Sequence, residues 1–199
     1  MEQGTVSFKK GAFPAAISSW SEAARLFEEG GNAGKYGEAL TKLSQAYQGI
    51  GHHQDALKTI EKALFLAQKE KDERQTAEAL GLKGNILTSL GENERAYPTL
   101  HEALKTARSL GDPDLSARIL NNLGNLLAAQ KKFEEALNAY QESSRLRETG
   151  DTAALAMVNS ATVSFSLGHY GEAKSRIDKA FLLLLGLEDS FYKTHALIN

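Results

Sequence analysis

"ALGLKGNILTSLGENERAYPTLHEAL", residues 79–104, is followed 40 positions later by "ILNNLGNLLAAQKKFEEALNAYQESS", residues 119–144. Leu80 and Leu120, Gly84 and Gly124, Asn85 and Asn125, and Ala96 and Ala136 take equivalent places in the two stretches. The alanine extends the match outward, because Ala16 and Ala56 stand at the same 40-residue spacing before Ala96 and Ala136. Four residues after each alanine is a large side chain, Trp20, Ile60, Leu100 or Tyr140, and seven after is a small one, Ala23, Ala63, Ala103 or Ser143. Spacings of four and seven place all three on one helical face, where small residues admit a neighbouring helix and large ones fill the gaps. A fifth copy, Ala173, Ile177 and Ala180, follows after a shortened spacing of 37 residues. Units that recur at a fixed period cannot bury their apolar faces alone and must stack on one another, so the chain reads as a solenoid.

A second helix precedes each of these, read from Leu40, Leu43, Ser44 and Tyr47, from Leu80, Gly84 and Leu87, and from Leu120, Leu123, Gly124 and Leu127. The version through Met157, Ala161 and Ser164 is weaker, since a large apolar residue is expected where Ser164 stands. The reading is therefore all-α, with antiparallel helix hairpins in one domain, 1–199. Its repeats span 1–31, 32–71, 72–111, 112–150 and 151–187, and 188–199 starts a further helix or cap. Short breakers separate the two helices of a hairpin, and Gly51, Gly91 and Gly168 supply the left-handed geometry that ends a helix. Lys131 occupies the equivalent place without that freedom, which predicts a different cap in the fourth turn. Asn32, Asp72, Asp112 and Asp151 stand where a short polar side chain caps the next helix. Pro98 lies about one turn inside its helix, where it removes a backbone bond or bends the entrance.

Composition excludes several functions. With 23 basic and 25 acidic residues the net charge is -2, giving no global attraction to nucleic acid. There is no cysteine, and the five histidines form neither an HExxH motif nor a ligand cluster, so no metal site, cofactor or catalytic centre is expected. Glu134 with Glu135 reads as charge at a helix start, and Ser18 with Ser19 has no identified base. The run "FLLLLGL", residues 181–187, is far too short to cross a membrane, and the start reads as part of a solenoid helix rather than a cleavable leader, which favours a cytoplasmic protein or a fragment cut from a larger one.

The coordinated small and large positions in the two quoted stretches resemble the tetratricopeptide repeat family, in its longer-period form of about 40 residues per repeat, over most of the chain. The resemblance implies a right-handed superhelical solenoid whose first helices line a concave surface. It maps that surface onto Gln45, Asn85 and Asn125, with Thr41, Asn121 and Val158 a step earlier and Glu38, Glu78 and Arg118 before those. Side-chain amides carry both donor and acceptor groups and suit the repeating amides of an extended peptide. The expected function is noncatalytic protein binding, with Gln45, Asn85, Arg118, Asn121 and Asn125 as contacts. The alternative is a structural or regulatory array that positions an absent effector domain or self-associates. Longer-repeat relatives are sometimes joined to a caspase-like protease, and Phe181, Leu183 and Leu184 are the candidate interface for a second copy or a missing C-terminal domain.

Overall fold

The computed structural model describes residues 1–147 and 149–185, and these form ten α-helices with no strand among them. They are α1 (Glu2–Lys9), α2 (Phe13–Glu29), α3 (Ala33–Gly49), α4 (His53–Lys69), α5 (Glu73–Ser89), α6 (Asn93–Ser109), α7 (Pro113–Ala129), α8 (Phe133–Leu146), α9 (Asp151–Ser166) and α10 (Tyr170–Leu185). The further helix or cap expected at 188–199 lies outside the described residues. The helices fall into two compact units, Met1–Thr106 and Ala107–Asn199. In the N-terminal unit each helix from α1 to α4 packs on its successor, and α3 also meets α5. The C-terminal unit repeats the plan, with α7 on α8, α8 on α9, α9 on α10, and α7 on α9. The fold is thus all-α, built of stacked antiparallel helix pairs as in a tetratricopeptide-like solenoid.

Close approach of small and large residues holds the hairpins together. Trp20, Ile60, Leu100 and Tyr140 are each at most 3 % exposed. A Cβ on Gly84 would lie 2.5 Å from Leu100 Cγ, and one on Gly124 would collide with the Tyr140 ring. These glycines serve the packing rather than the backbone, since each bulky side chain needs the space a Cβ would take. Ala161 keeps this small-residue place in α9, and Ser164 stands where α7 carries Leu127. Ser164 is fully buried, its Oγ donates to Ser160 O at 3.0 Å, and it accepts a bond from the Arg176 guanidinium. Ile177 departs from its counterparts and is 45 % exposed.

The turns follow local stereochemistry, with one correction. Lys131 adopts φ 60°, the same left-handed conformation as Gly51 and Gly91 at 76°. Its N–H donates to Ala128 O at 2.9 Å and that of Lys132 to Leu127 O at 2.9 Å, the pattern also made by Gly91 and Glu92. The fourth turn therefore keeps the same cap, and the lysine bears a conformational cost of about 1 kcal/mol.

At the helix starts, Asn32 accepts from Lys35 N at 3.1 Å, Asp72 from Gln75 N at 2.8 Å and Asp112 from Leu115 N at 2.9 Å. Asp151 differs from expectation, being the first residue of α9 while Gly150, at φ 90°, holds the capping position. The cause is the early end of α8, where Arg147 turns extended and pairs with Asp114 at 2.5 Å. α6 runs through Pro98, which sits exposed inside it.

Exposed ion pairs tie even-numbered helices across a repeat. Glu28 of α2 meets Lys62 of α4 at 3.2 Å, while Arg108 of α6 meets Glu142 of α8 at 2.5 Å. The acidic partner comes first in one pair and second in the other.

Candidate functional site

In the N-terminal unit, Gln45 on α3 and Asn85 on α5 are half-buried, and the two helices pack together. Thr41, one turn before Gln45, bonds back to Gly37 O at 3.0 Å, and exposed Glu38 pairs with Lys42 at 4.0 Å. The equivalent step on α5 is Gly81, so the unit presents separate polar side chains rather than a continuous amide row.

The C-terminal unit joins its amides together. Arg118, Asn121 and Asn125 succeed one another along α7, with Arg118 and Asn125 half-buried and Asn121 only 3 % exposed. Asn159, half-buried on α9, donates through Nδ2 to Asn121 Oδ1 at 3.1 Å and to Asn125 Oδ1 at 3.1 Å. Tyr140 Oη on α8 donates to the same Asn125 Oδ1 at 2.9 Å. Burial pushes the Tyr140 phenol well above its ordinary pKa, so the hydroxyl stays protonated and available as a donor. Three helices thus converge on one cluster, and buried polar networks are rigid when their members are satisfied.

This placement separates residues the sequence had grouped. Asn125 retains partial exposure at the cluster edge, whereas Asn121 is enclosed and helps hold Asn159. Asn159 and the Tyr140 hydroxyl were absent from the expected site. A polar residue in an alanine-rich helix was the available signal for Asn159, but the repeat register falls one residue before it. Val158, its neighbour and the mapped position, is also half-buried on α9.

The apolar run at the end of α10 is also rearranged. Phe181 is 45 % exposed, but Leu183 is half-buried and Leu184 only 3 % exposed because it packs inward with Ala173 and Ala180. Leu182 and Leu185 carry the outward surface instead. Among the described residues no group of three or more histidines and carboxylates could hold a metal ion, and no helix is long and apolar enough to cross a membrane.

The family model described as tetratricopeptide repeat matches residues 75–149, and that for anaphase-promoting complex subunit 5 matches residues 12–82 and 147–184, more than half the chain. No curated protein matches the sequence. Among solved structures, a Rap protein complexed with competence and sporulation factor superposes with a TM-score of 0.87 at 20 % identity, over 98 % of this chain and 54 % of that one. The Rap conjugation gene regulator of plasmid pLS20, in complex with the Phr* peptide, gives 0.81 at 22 %, over 90 % and 50 %. NprR in complex with its cognate peptide NprX gives 0.80 at 21 %, over 94 % and 55 %. At these identities the likeness is one of fold, and the chain spans about half the length of each neighbour.

Proposed function

Because the chain belongs to the tetratricopeptide-like helical repeat family, we propose that it is a noncatalytic protein-interaction module that binds an extended peptide or protein segment. Gln45 and Asn85 are the contacts in the N-terminal unit. Arg118, Asn125 and Asn159 are those in the C-terminal unit, with Asn121 positioned behind them. The observation that carries the reading is the convergence of Asn121, Asn125 and Asn159 with Tyr140, which holds side-chain amides at a partly exposed edge. Fixed amides can bond a peptide backbone without demanding a particular side chain, and ordering them before binding lowers the cost of association. The complexes of the pLS20 Rap regulator with the Phr* peptide and of NprR with its cognate peptide support the same reading by analogy. It carries a cytoplasmic setting with it, which cell fractionation would test.

An interaction screen followed by a partner-bound structure tests the proposal. Alanine at Asn85, Asn121 and Asn125 together should abolish binding, and normal binding by that variant, still folded, would sink the assignment. A second reading, association through α10, is favoured by the exposure of Ile177, Phe181, Leu182 and Leu185. Light scattering across concentration, comparing wild type with a Leu182→Ser, Leu185→Ser variant, distinguishes it. A concentration-independent wild-type monomer would remove self-assembly.

A further inference from the structure

We infer that Tyr140 and Asn159 fix the orientation of the Asn125 amide, so that the C-terminal unit offers N–H donors on α7 and a carbonyl acceptor on α9 to a peptide backbone. The inference rests on the peptide-binding reading above and adds to it a polarity and a direction.

The argument is one of hydrogen-bond capacity. A side-chain amide nitrogen has two N–H groups and its oxygen two lone pairs. Asn159 Nδ2 spends both donors, one on Asn121 Oδ1 and one on Asn125 Oδ1, each at 3.1 Å. Its own Oδ1 is left as the group able to accept from a ligand. Asn125 Oδ1 receives from Asn159 and from Tyr140 Oη at 2.9 Å, which fills its two lone pairs. What Asn125 retains is Nδ2, a pure donor.

An unrestrained asparagine presents either end of its amide by turning over. Here turning Asn125 alone would set its N–H groups against those of Asn159 and leave the phenol to accept where it now donates. Tyr140 is itself held by packing on Gly124, where no Cβ intervenes. On α5 the same helical place is held by Asn85, but Leu100 stands where Tyr140 does and has no hydroxyl, so this constraint has no counterpart there.

Donor on α7 and acceptor on α9 together read a direction. A residue in extended conformation turns its N–H and C=O to the same side of the chain. Its carbonyl is drawn to Asn125 and its N–H to Asn159, so the peptide runs from α9 toward α7 in the N-to-C sense. Tyr140 is a positioning residue in this scheme, since it acts through Asn125.

Asn125→Asp is the discriminating change, because a carboxylate keeps the acceptor needed by Tyr140 and Asn159 while replacing the outward donor with another acceptor. A displayed library of random heptapeptides supplies the probe, its tightest binder to wild type being carried forward. Asn125→Asp should weaken that peptide by more than about tenfold and bind worse than Asn125→Ala, yet unfold at higher urea than the alanine variant. A merely structural role for Asn125 would put binding and stability in the same order, and that result would overturn the inference. In the free protein, NMR exchange should find the Asn159 side-chain N–H protons slower than those of Asn125, and the reverse order would overturn it equally. A paramagnetic tag on the peptide N-terminus should broaden Thr162 on α9 more than Arg118 on α7, and the opposite pattern would refute the direction. Failure of every library peptide to bind wild type would count against the peptide-binding reading, while the exchange order would still decide the polarity.

Discussion

Asn85 and Asn125 occupy the same position in successive repeats, but one stands beside the Leu100 register and the other beside Tyr140. One turn before Asn85, α5 carries Gly81, where α7 carries Asn121 one turn before Asn125. The N-terminal unit therefore keeps its polar side chains separate, whereas the C-terminal unit joins them across three helices through Asn159 and a phenol. Backbone architecture is shared, and two substitutions change what it holds. A repeated polar position tells where a side chain stands, but its orientation depends on residues outside the repeat pattern.

Several changes would break that comparison or sharpen it. Gly124→Ala should cost about 3 kcal/mol in urea unfolding by driving a methyl group into Tyr140, and Gly84→Ala should cost a similar amount at Leu100. Only the first should also speed exchange of the Asn159 side-chain protons, since Leu100 holds no amide in place. Next comes Asn159→Ala, which leaves the enclosed Asn121 oxygen without its donor and should cost about 2 kcal/mol. Asn85→Ala should cost less than about 0.5 kcal/mol by the same assay.

Lys131→Gly should raise stability by about 1 kcal/mol, because glycine relieves the left-handed lysine, and Gly91→Lys should lower it by a like amount. Equal stability in either exchange would show that the two turns differ in some further respect. The smallest effect concerns pH. With the folded Tyr140 pKa raised, the unfolded chain gives up that proton first, so its contribution to stability is intact below the ordinary tyrosine value of about 10 and declines as pH rises past it. Tyr140→Phe should flatten this decline in alkaline unfolding curves.

Most of the architecture was legible because it rests on local rules. The alanines and their large partners located the hairpin contacts, and Asn32, Asp72 and Asp112 marked helix starts through their capping side chains. Lys131 misled because residue type gives only a preference: the surrounding bonds hold it in a conformation that glycine would adopt more readily. The last repeat misled for a different reason. Its shortened connection moves α9, so that Asn159 meets Asn121 and Asn125 although it lies 38 and 34 residues after them. The register carried over from Asn121 lands instead on Val158, the residue before Asn159. Tyr140 was legible as a buried ring, but nothing in its spacing revealed which atom its hydroxyl would reach.

The opposite signs of the Glu28–Lys62 and Arg108–Glu142 pairs bear on how such an array can be copied. Were the first repeat's Glu28 transplanted to the place of Arg108, it would confront Glu142, two carboxylates side by side. The reverse transplant would set Arg108 against Lys62. Repeats that look alike in their buried faces are thus not freely shuffled, because a misplaced duplicate meets repulsion on its outer edge. Charge gives each copy an address, and the native order is one in which neighbouring addresses agree.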